Sequence, residues 1–530
     1  MKKLLSFILA LAMLLLCACG GTAATPQSTD AIPAGAGNTV EVGATQRVAV
    51  LDFFKTIRTL SEERDGEAIC TVTYPELALS RQDAEKYPVL ARSLAALNND
   101  GAQNSQNAYA QLLAAAEGAL MRYAQQPEQQ ETQEESAFQG FYRHDDLILP
   151  RADSRAVSIL YSMTSYSGGT QGELYYYCTN LDTATGRVLN VGDVVLDMAA
   201  LREKLELELK KTYPDAEFAA LEEALNAYFS DPTSFTWTLD YEGISFYFSP
   251  GELSSYDDGR MICSLRYDSN RGLFSEYYTA VPASYAVPLL NGRSMDIDIT
   301  ADGVSDTISV EPIYEKGGDG IDKLTISVNG KEYTANTPML ECTAYIVNIA
   351  SARYYLFISA QNLTGYGYVS VYKLDRSGAS LVGMMYESSL YAAEYAEICP
   401  GVPLLTDPEE FVLGTRIQYL GTLTGLKTYA LGTDGMPTSG EAYYQLYGAE
   451  PLTLKRQLIT ATIDASGSGT FAAETFNPGT RLNFLRSDGA GSVDMYTDDG
   501  VYCRLYVSGN PGSQNVNGMS ADEVFDGMVY

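Results

Sequence analysis

Asp298, Thr300, Asp302 and Asp306 flank Gly303 in the stretch MDIDITADGVSDTISV, a D-x-T-x-D-G-x-x-D array. Oxygen donors at alternate loop positions, with a glycine for the sharp turn, suit a hard cation that takes six to eight oxygens. Calcium is the candidate. The competing reading needs no metal, because Asp and Ser side chains favour tight turns by bonding to their own backbone. Cys17 and Cys19 form a C-x-C pair in LLLCACGG, which could be a metal site, a redox pair or an address label. Ser370 and Lys373 match the S-x-x-K spacing of acyl-transfer enzymes, but that pair needs a helix, where residues i and i+3 share a face. Here it lies in YGYVSVYKLD, whose alternation predicts a strand that points the two side chains apart. Adjacent acids at Asp257-Asp258 and Asp498-Asp499 sit beside turn glycines and form no recognisable acid/base pair. No G-x-S-x-G and no phosphate-binding loop occurs.

The single histidine, His144, excludes zinc hydrolase sites built on two or three His ligands. It stands in FYRHDD, where a strand begins, and a surface or structural role is expected. Acidic residues outnumber basic ones, 67 to 35, for a net charge of −32. Such a field repels nucleic acid and anionic lipid headgroups and attracts cationic proteins and divalent metals. No nucleic-acid partner is expected.

Lys2 and Lys3 followed by LLSFILALAMLLL, an apolar run of 13 residues, have the form of a secretion signal too short to span a bilayer. Leu16-Cys17-Ala18-Cys19 resembles the bacterial lipobox, with Leu16 three residues before the acylated cysteine and two small residues between. The resemblance implies a signal peptide over 1–18, lipidation of Cys19 and a lipid anchor on the extracytoplasmic face of a bacterial membrane. Loss of Lys2 and Lys3 takes the charge from −32 to −34. Residues 19–45 are small, polar and rich in Gly and Pro, as a flexible tether would be. Cys70, Cys178, Cys263, Cys342, Cys399 and Cys503 are scattered, and buried thiols and disulfides are both open.

The elements that would carry a site follow from periodicity. RVAVLDFFKTIR and EAICTVTYPELAL alternate as strands. Ser80, three residues before Asp83, predicts a helix over 81–98, and the Ala-rich stretch 104–125 predicts a second. RAVSILYSMTSY and GELYYYCTNLD flank SGGTQG as a hairpin, DMAALREKLELELKKTY is an amphipathic helix, and FTWTLDYEGISFYFSP turns near Tyr241-Glu242-Gly243. This order predicts an α+β fold with antiparallel sheet. Residues 286–450 read as a strand-rich β domain, with Asn329-Gly330 a hairpin turn. Residues 451–530 read as about five short strands that resemble a small SH3-like barrel, ended by a helical turn through Val524, Phe525 and Met528.

Three motifs together resemble the extracytoplasmic domain shared by the anti-sigma factor RsiV and the peptidoglycan deacetylase PdaC. They are Gly168-Gly169-Thr170-Gln171-Gly172, the strand exit from Asn180 to Gly186, and the hairpin from Phe235 to Pro250. The resemblance covers residues 46–285. It implies a ligand-binding turn at Gly168, Gly169, Gln171 and Gly172, and binding of a cell-wall-associated protein such as lysozyme. Gln171 stands where the family usually has His, so no histidine chemistry carries over. The calcium-like loop is similar to those of integrin-like propeller repeats, but it does not recur along the chain. The expected role is therefore a non-catalytic binding or sensing lipoprotein of the cell envelope. A wall hydrolase with an unrecognised carboxylate pair and a scaffold lipoprotein are the alternatives.

Overall fold

Alternating apolar positions in the N-terminal third dictate a five-stranded sheet, and the chain lays it down in sequence order. The computed structural model describes residues 47–530 apart from 125–137, 170–171, 291, 293, 315–319, 337–338, 351, 362–366, 391–403, 433, 449 and 468. The strands are β1 (Phe53–Arg64), β2 (Glu67–Leu79), β3 (Phe141–Ala152), β4 (Ala156–Tyr166) and β5 (Glu173–Asp182). All neighbours are antiparallel except β2 and β3, which run parallel from Cys70↔Phe141 to Thr73↔His144. A parallel pair needs a long crossover, and two helices supply it.

Those helices differ from the expected pair. The first, α1 (Arg81–Lys86), is short, and α2 runs unbroken from Pro88 to Ala124. The break falls at Pro88, which has no N–H to donate and is tolerated only in a helix's first turn. Residues 99–103, which separate the two expected helices, are helical throughout. Gly101 costs about 1 kcal/mol there relative to Ala, and burial at both ends of the helix offsets it. Leu90 and Leu94 pack with Phe53, Leu77 and Leu147, while Ala116 packs against Ile69, Cys70 and Phe141. The Ser80 hydroxyl accepts from Asp83 N (3.1 Å), as the cap predicts. The Asp83 carboxylate reaches Asp52 N (2.9 Å) and so ties the helix start to the strand before β1. Gly186, at the end of the Asn180 motif, has φ +67° and lies against α2. A Cβ there would meet Val89 O at 2.9 Å, so only glycine fits.

Helices α3 (Val191–Val194), α4 (Met198–Thr212) and α5 (Leu221–Ser230) pack on a three-stranded sheet of β6 (Thr236–Leu239), β7 (Gly243–Phe248) and β8 (Met261–Arg266). Leu201, Leu205 and Leu209 recur every fourth residue and are fully buried against Trp237, Phe246 and Cys263.

Between these layers lies a charged core. Arg151, Asp153 and Arg155 are all buried. Arg151 Nε bonds Asp153 Oδ2 (2.8 Å), its Nη2 bonds Ala280 O (2.7 Å), and its Nη1 bonds Tyr278 O. Asp153 Oδ1 accepts from Arg155 N (2.7 Å) and Ala156 N (3.1 Å). The Arg155 guanidinium stacks on Tyr277 at 4.4 Å, and Tyr278 donates to Asp182 (2.9 Å). The β3–β4 turn is thereby clamped to residues 277–280, just ahead of the middle region.

That region begins with β9 (Tyr285–Leu289). Strand β10 (Ser294–Ile297) pairs with β11 (Asp306–Tyr314), β12 (Ile321–Val328) and β13 (Lys331–Ala335). Asn329 and Gly330 take φ of +51° and +75° in the β12–β13 turn, as Asn-Gly predicts. A second sheet joins β9 to β14 (Glu341–Ala350), β15 (Arg353–Gln361), β16 (Gly367–Asp375) and β17 (Gly378–Tyr386). The two sheets share one apolar core, with Ile308, Val310 and Ile326 facing Val287, Ile346 and Ile358. On its other face the β14–β15 layer meets Phe411, Leu413 and Tyr429 of a large final sheet.

This final sheet starts at β18 (Ser388–Leu390) and runs to Asp526. The specific SH3-like barrel expected over 451–530 is not shown. Its strands make an open path, and no closed ring of strands occurs among the described residues. The edge of Arg481–Ser487 that would close a ring is shared between Leu452–Leu454 and Tyr444–Tyr447, so hydrogen bonding runs across residue 450. The single helical turn is present at Ala521–Val524, and Phe525 continues as strand. Hydrogen bonds cross residue 285 as well. Leu404 N donates to Phe53 O (2.6 Å) and the Thr406 hydroxyl to Leu51 O (3.1 Å). The described residues are mixed helix and sheet, strand-rich, and residues 43–530 make one compact unit.

Candidate functional site

Gly168, Gly169 and Gly172 lie between strands β4 and β5. Gly168 and Gly169 have positive φ, +99° and +115°. Gly172 lies close to Ser165 O and the Tyr142 hydroxyl. Tyr166 donates to Gly169 O (3.2 Å). Thr170 and Gln171 lie outside the described residues, as do Cys17, Cys19 and Cys399.

The strands behind these glycines form an aromatic surface. The register puts Asp145, Met163 and Tyr175 in one cross-strand row and Leu147, Tyr161 and Tyr177 in the next, so they share a face. Tyr161 and Tyr177 stack with centroids 4.6 Å apart and planes 4° apart. Tyr175 and Tyr177 keep 44% and 40% of their surface exposed. The Tyr175 hydroxyl donates to Glu173 (2.9 Å), and Arg143 grips Asp145 through two bonds of 2.9 and 2.6 Å. Burial, with the Asp145 charge adding to it, pushes the Tyr177 phenol well up, so it stays protonated as a donor. On the opposite face Tyr142 stacks on His144 at 4.9 Å and on Tyr166 at 5.8 Å. His144 Nδ1 is 3.0 Å from the Thr73 hydroxyl, and partial burial lowers its pKa. It is a neutral packing residue at pH 7.

The calcium-like loop spends its carboxylates internally. Asp298 Oδ1 accepts from Thr300 N (3.2 Å) and Asp302 N (3.2 Å), and Oδ2 from Gly303 N (2.6 Å). Asp302 is ion-paired with Arg376. Asp306, buried, accepts from Ile299 N (3.2 Å) and the Asn329 amide (2.6 Å). This is the bonding of a self-capped turn. No group of three or more His, Cys, Asp or Glu side chains is placed to hold a metal among the described residues. Ser370 and Lys373 lie in strand β16, the serine buried and the lysine exposed. Cys70, Cys178, Cys263, Cys342 and Cys503 are free thiols, and burial raises Cys178 to about 11.

Sequence reasoning missed one acidic site. The turn between β6 and β7 puts Asp240 and Glu242 at a narrow cleft with Arg266. Asp240 Oδ1 is taken by Glu242 N (2.7 Å) and Gly243 N (2.6 Å). Glu242 Oε1 accepts from Tyr285 (2.7 Å), and Oε2 lies 3.3 Å from Arg266, which also grips Asp268. Burial, partly countered by Tyr285 and Arg266, lifts the Glu242 pKa to about 7. A raised carboxyl beside a second acid is the arrangement a wall hydrolase would need. The cleft, however, holds about 90 Å³, about three waters at about 30 Å³ each, and has no room for a sugar ring. The signal for Glu242 was a pair of acids, Asp240 and Glu242, inside an otherwise apolar hairpin.

No family model matches the chain, and no curated protein matches it. Among solved structures it is similar to a member of the DUF3298 family from Bacteroides fragilis, at 16% identity and a TM-score of 0.30, covering 42% of this chain and 94% of that one. It is also similar to a DUF3298 family protein from Pseudomonas aeruginosa, at 12% identity and a TM-score of 0.28, covering 45% of this chain and 100% of that one.

Proposed function

We propose that the protein is a bacterial lipoprotein, tethered through Cys19 at the extracytoplasmic face of the membrane, that binds a cationic protein and catalyses nothing. The observation that carries this reading is the face holding Tyr161, Tyr175 and Tyr177. Two half-exposed, stacked or hydrogen-bonded tyrosines lie among Glu173 and Asp145 on a rigid sheet. Such rings give large contact area at little entropic cost and attract Lys and Arg through their faces. A charge of −34, once Lys2 and Lys3 are removed from the −32 of the full chain, steers a basic partner in quickly at low salt. The motifs at Gly168, Asn180 and Phe235 support an RsiV- or PdaC-like first domain, and a basic wall-associated protein such as lysozyme is the first partner to try.

Titrating residues 43–530 against lysozyme at low ionic strength is expected to give saturable binding that weakens steeply with salt. Tyr175→Ala with Tyr177→Ala is expected to lower affinity at least tenfold, on the scale of a central aromatic anchor. Absence of binding at low salt would sink this form of the proposal. For the tether, Cys19→Ala is expected to abolish incorporation of labelled fatty acid and release the chain from the membrane fraction. Continued lipid labelling of that variant would assign the anchor elsewhere.

A further inference from the structure

A second, larger concavity opens where the first sheet meets the β9–β14–β15 sheet, sharing only Ile148 and Pro288 with the Glu242 cleft. It holds about 280 Å³, about nine water volumes at about 30 Å³ each. Its polar side chains come from distant parts of the chain: Lys55 from β1, Asp146 from β3, Tyr345 from β14 and Ser389 from β18. Leu147, Leu149, Leu404 and Leu405 form an apolar wall.

The hydrogen-bond inventory shows what this cavity offers. Lys55, buried on a strand face between Phe53 and Ile57, bonds Asp146 Oδ1 (2.8 Å). The same oxygen accepts from Leu147 N (2.7 Å), and Oδ2 has no partner among the described residues. Two lining hydroxyls are used internally: Ser359 Oγ accepts from Leu390 N (3.1 Å), and Thr406 donates to Leu51 O (3.1 Å). Two are not. Ser389 is 97% buried from its 3% exposure, and its hydroxyl has no hydrogen-bond partner. The Tyr345 phenol likewise has none among the described residues, and burial with Asp146 nearby raises it to about 12, so it keeps its proton. Buried hydroxyls without partners are rare and costly, and a group that supplies the missing bonds removes the cost.

The charges decide the ligand's class. Lys55 and Asp146 neutralise each other, so a charged ligand entering here is desolvated without a countercharge of its own. An uncharged ligand with several hydroxyls can donate to Asp146 Oδ2 and bond Ser389 and Tyr345 while the ion pair stays intact. The leucine wall asks for a C–H face on the same molecule, and the volume limits it to one ring. We propose that this cavity binds one uncharged, polyhydroxylated six-membered ring, the chemistry of a single neutral sugar unit. It shares Leu147 with the tyrosine face but none of that face's rings, so either reading can fail while the other stands.

The test is a calorimetric and saturation-transfer titration of residues 43–530 with glucose and N-acetylglucosamine, against glucuronate and glucosamine as charged counterparts. One of the neutral probes is expected to bind saturably at one site, with the charged counterparts at least tenfold weaker. Ser389→Ala is expected to leave the melting temperature unchanged or higher, because it deletes an unpartnered buried hydroxyl, while weakening sugar binding about tenfold. Tyr345→Phe, which keeps the ring, is expected to weaken binding similarly and decides the matter if Ser389→Ala disturbs folding. The proposal is overturned if neither neutral probe saturates at tens of millimolar. It is equally overturned if a charged counterpart binds as tightly, or if both variants bind like the parent.

Discussion

Asp153→Ala is expected to cost about 3–5 kcal/mol of folding stability, the penalty for breaking a fully buried ion pair from one side. Arg151 and Asp153 are both sealed from solvent, with side-chain exposures of 0% and 0%. Burial works to lower the Arg151 pKa, and Asp153 with the Tyr267 and Tyr241 rings outweighs it, so the guanidinium stays charged. Removing the carboxylate leaves that charge with no counter-ion, facing the carbonyls of Tyr278 and Ala280 and the Tyr241 ring. It also orphans the N–H groups of Arg155 and Ala156. Asp153→Asn keeps an acceptor for those amides and is expected to lose less. The exposed pair Lys210–Glu206 is the control, and Glu206→Ala should cost about 0.5 kcal/mol or less. Urea unfolding followed by far-ultraviolet dichroism reads the difference as a shifted midpoint at unchanged slope. Equal midpoints for Asp153→Ala and Glu206→Ala would show that the clamp contributes nothing special. The effect reaches beyond the core, because this clamp fixes residues 277–280, from which β9 enters the sheet that forms one side of the proposed sugar cavity.

Much of the architecture is legible in local pattern, because local pattern is what the elements obey. The β1, β2, β4 and β5 strands, the β6–β7 hairpin and the Asn329-Gly330 turn all follow from alternation and turn chemistry. The helical crossover is half legible. The expected helix over 81–98 ran through Pro88, where the chain breaks, and the continuity of α2 through Gly101 depends on burial of Leu94 and Ala116 against different clusters, which no window of sequence contains. The open final sheet was hidden for the same reason, since Tyr444–Tyr447 takes the edge a barrel would have closed. Gly168, Gly169 and Gly172 lie between β4 and β5, as the hairpin pattern predicts. The D-x-T-x-D-G array is ambiguous in sequence because Asp serves a turn and a cation with the same geometry, and Arg376 and Asn329, which engage Asp302 and Asp306, come from elsewhere in the chain. Lys55 did leave a trace, as the one cation alternating with Phe53 and Ile57 on a buried strand face. Ser389 left none.

Glu242 carries the second large expectation, a loss of stability as pH rises through neutrality. Burial is the main cause of its raised pKa, and Asp240 and Asp268 push the same way against Tyr285 and Arg266. Tyr354 sits behind Tyr285, with the two hydroxyls 3.4 Å apart. Below the ordinary value of 4.5 both folded and unfolded chains hold the proton, and the group contributes no pH dependence. Between 4.5 and about 7 the unfolded chain releases its proton while the folded chain keeps it, so the folded state binds more protons and stability falls with rising pH. Above about 7 both are ionised and the loss is complete, on the order of 3 kcal/mol at about 1.4 kcal/mol per pKa unit. Glu242→Gln removes the titration and keeps an acceptor for Tyr285. Arg266 retains Asp268 and Asp296 O. The variant is therefore expected to match the parent at pH 5 and exceed it by about 1–3 kcal/mol at pH 8, measured as urea midpoints at the two pH values. A variant that is less stable than the parent at pH 8 would mean that the ionised Glu242–Arg266 pair holds the junction together. The raised carboxyl would then be no burden on the fold. The predicted sign distinguishes these cases because a pair kept for stability strengthens as Glu242 ionises, whereas a carboxyl trapped by burial between β7 and β9 weakens the fold at the same step.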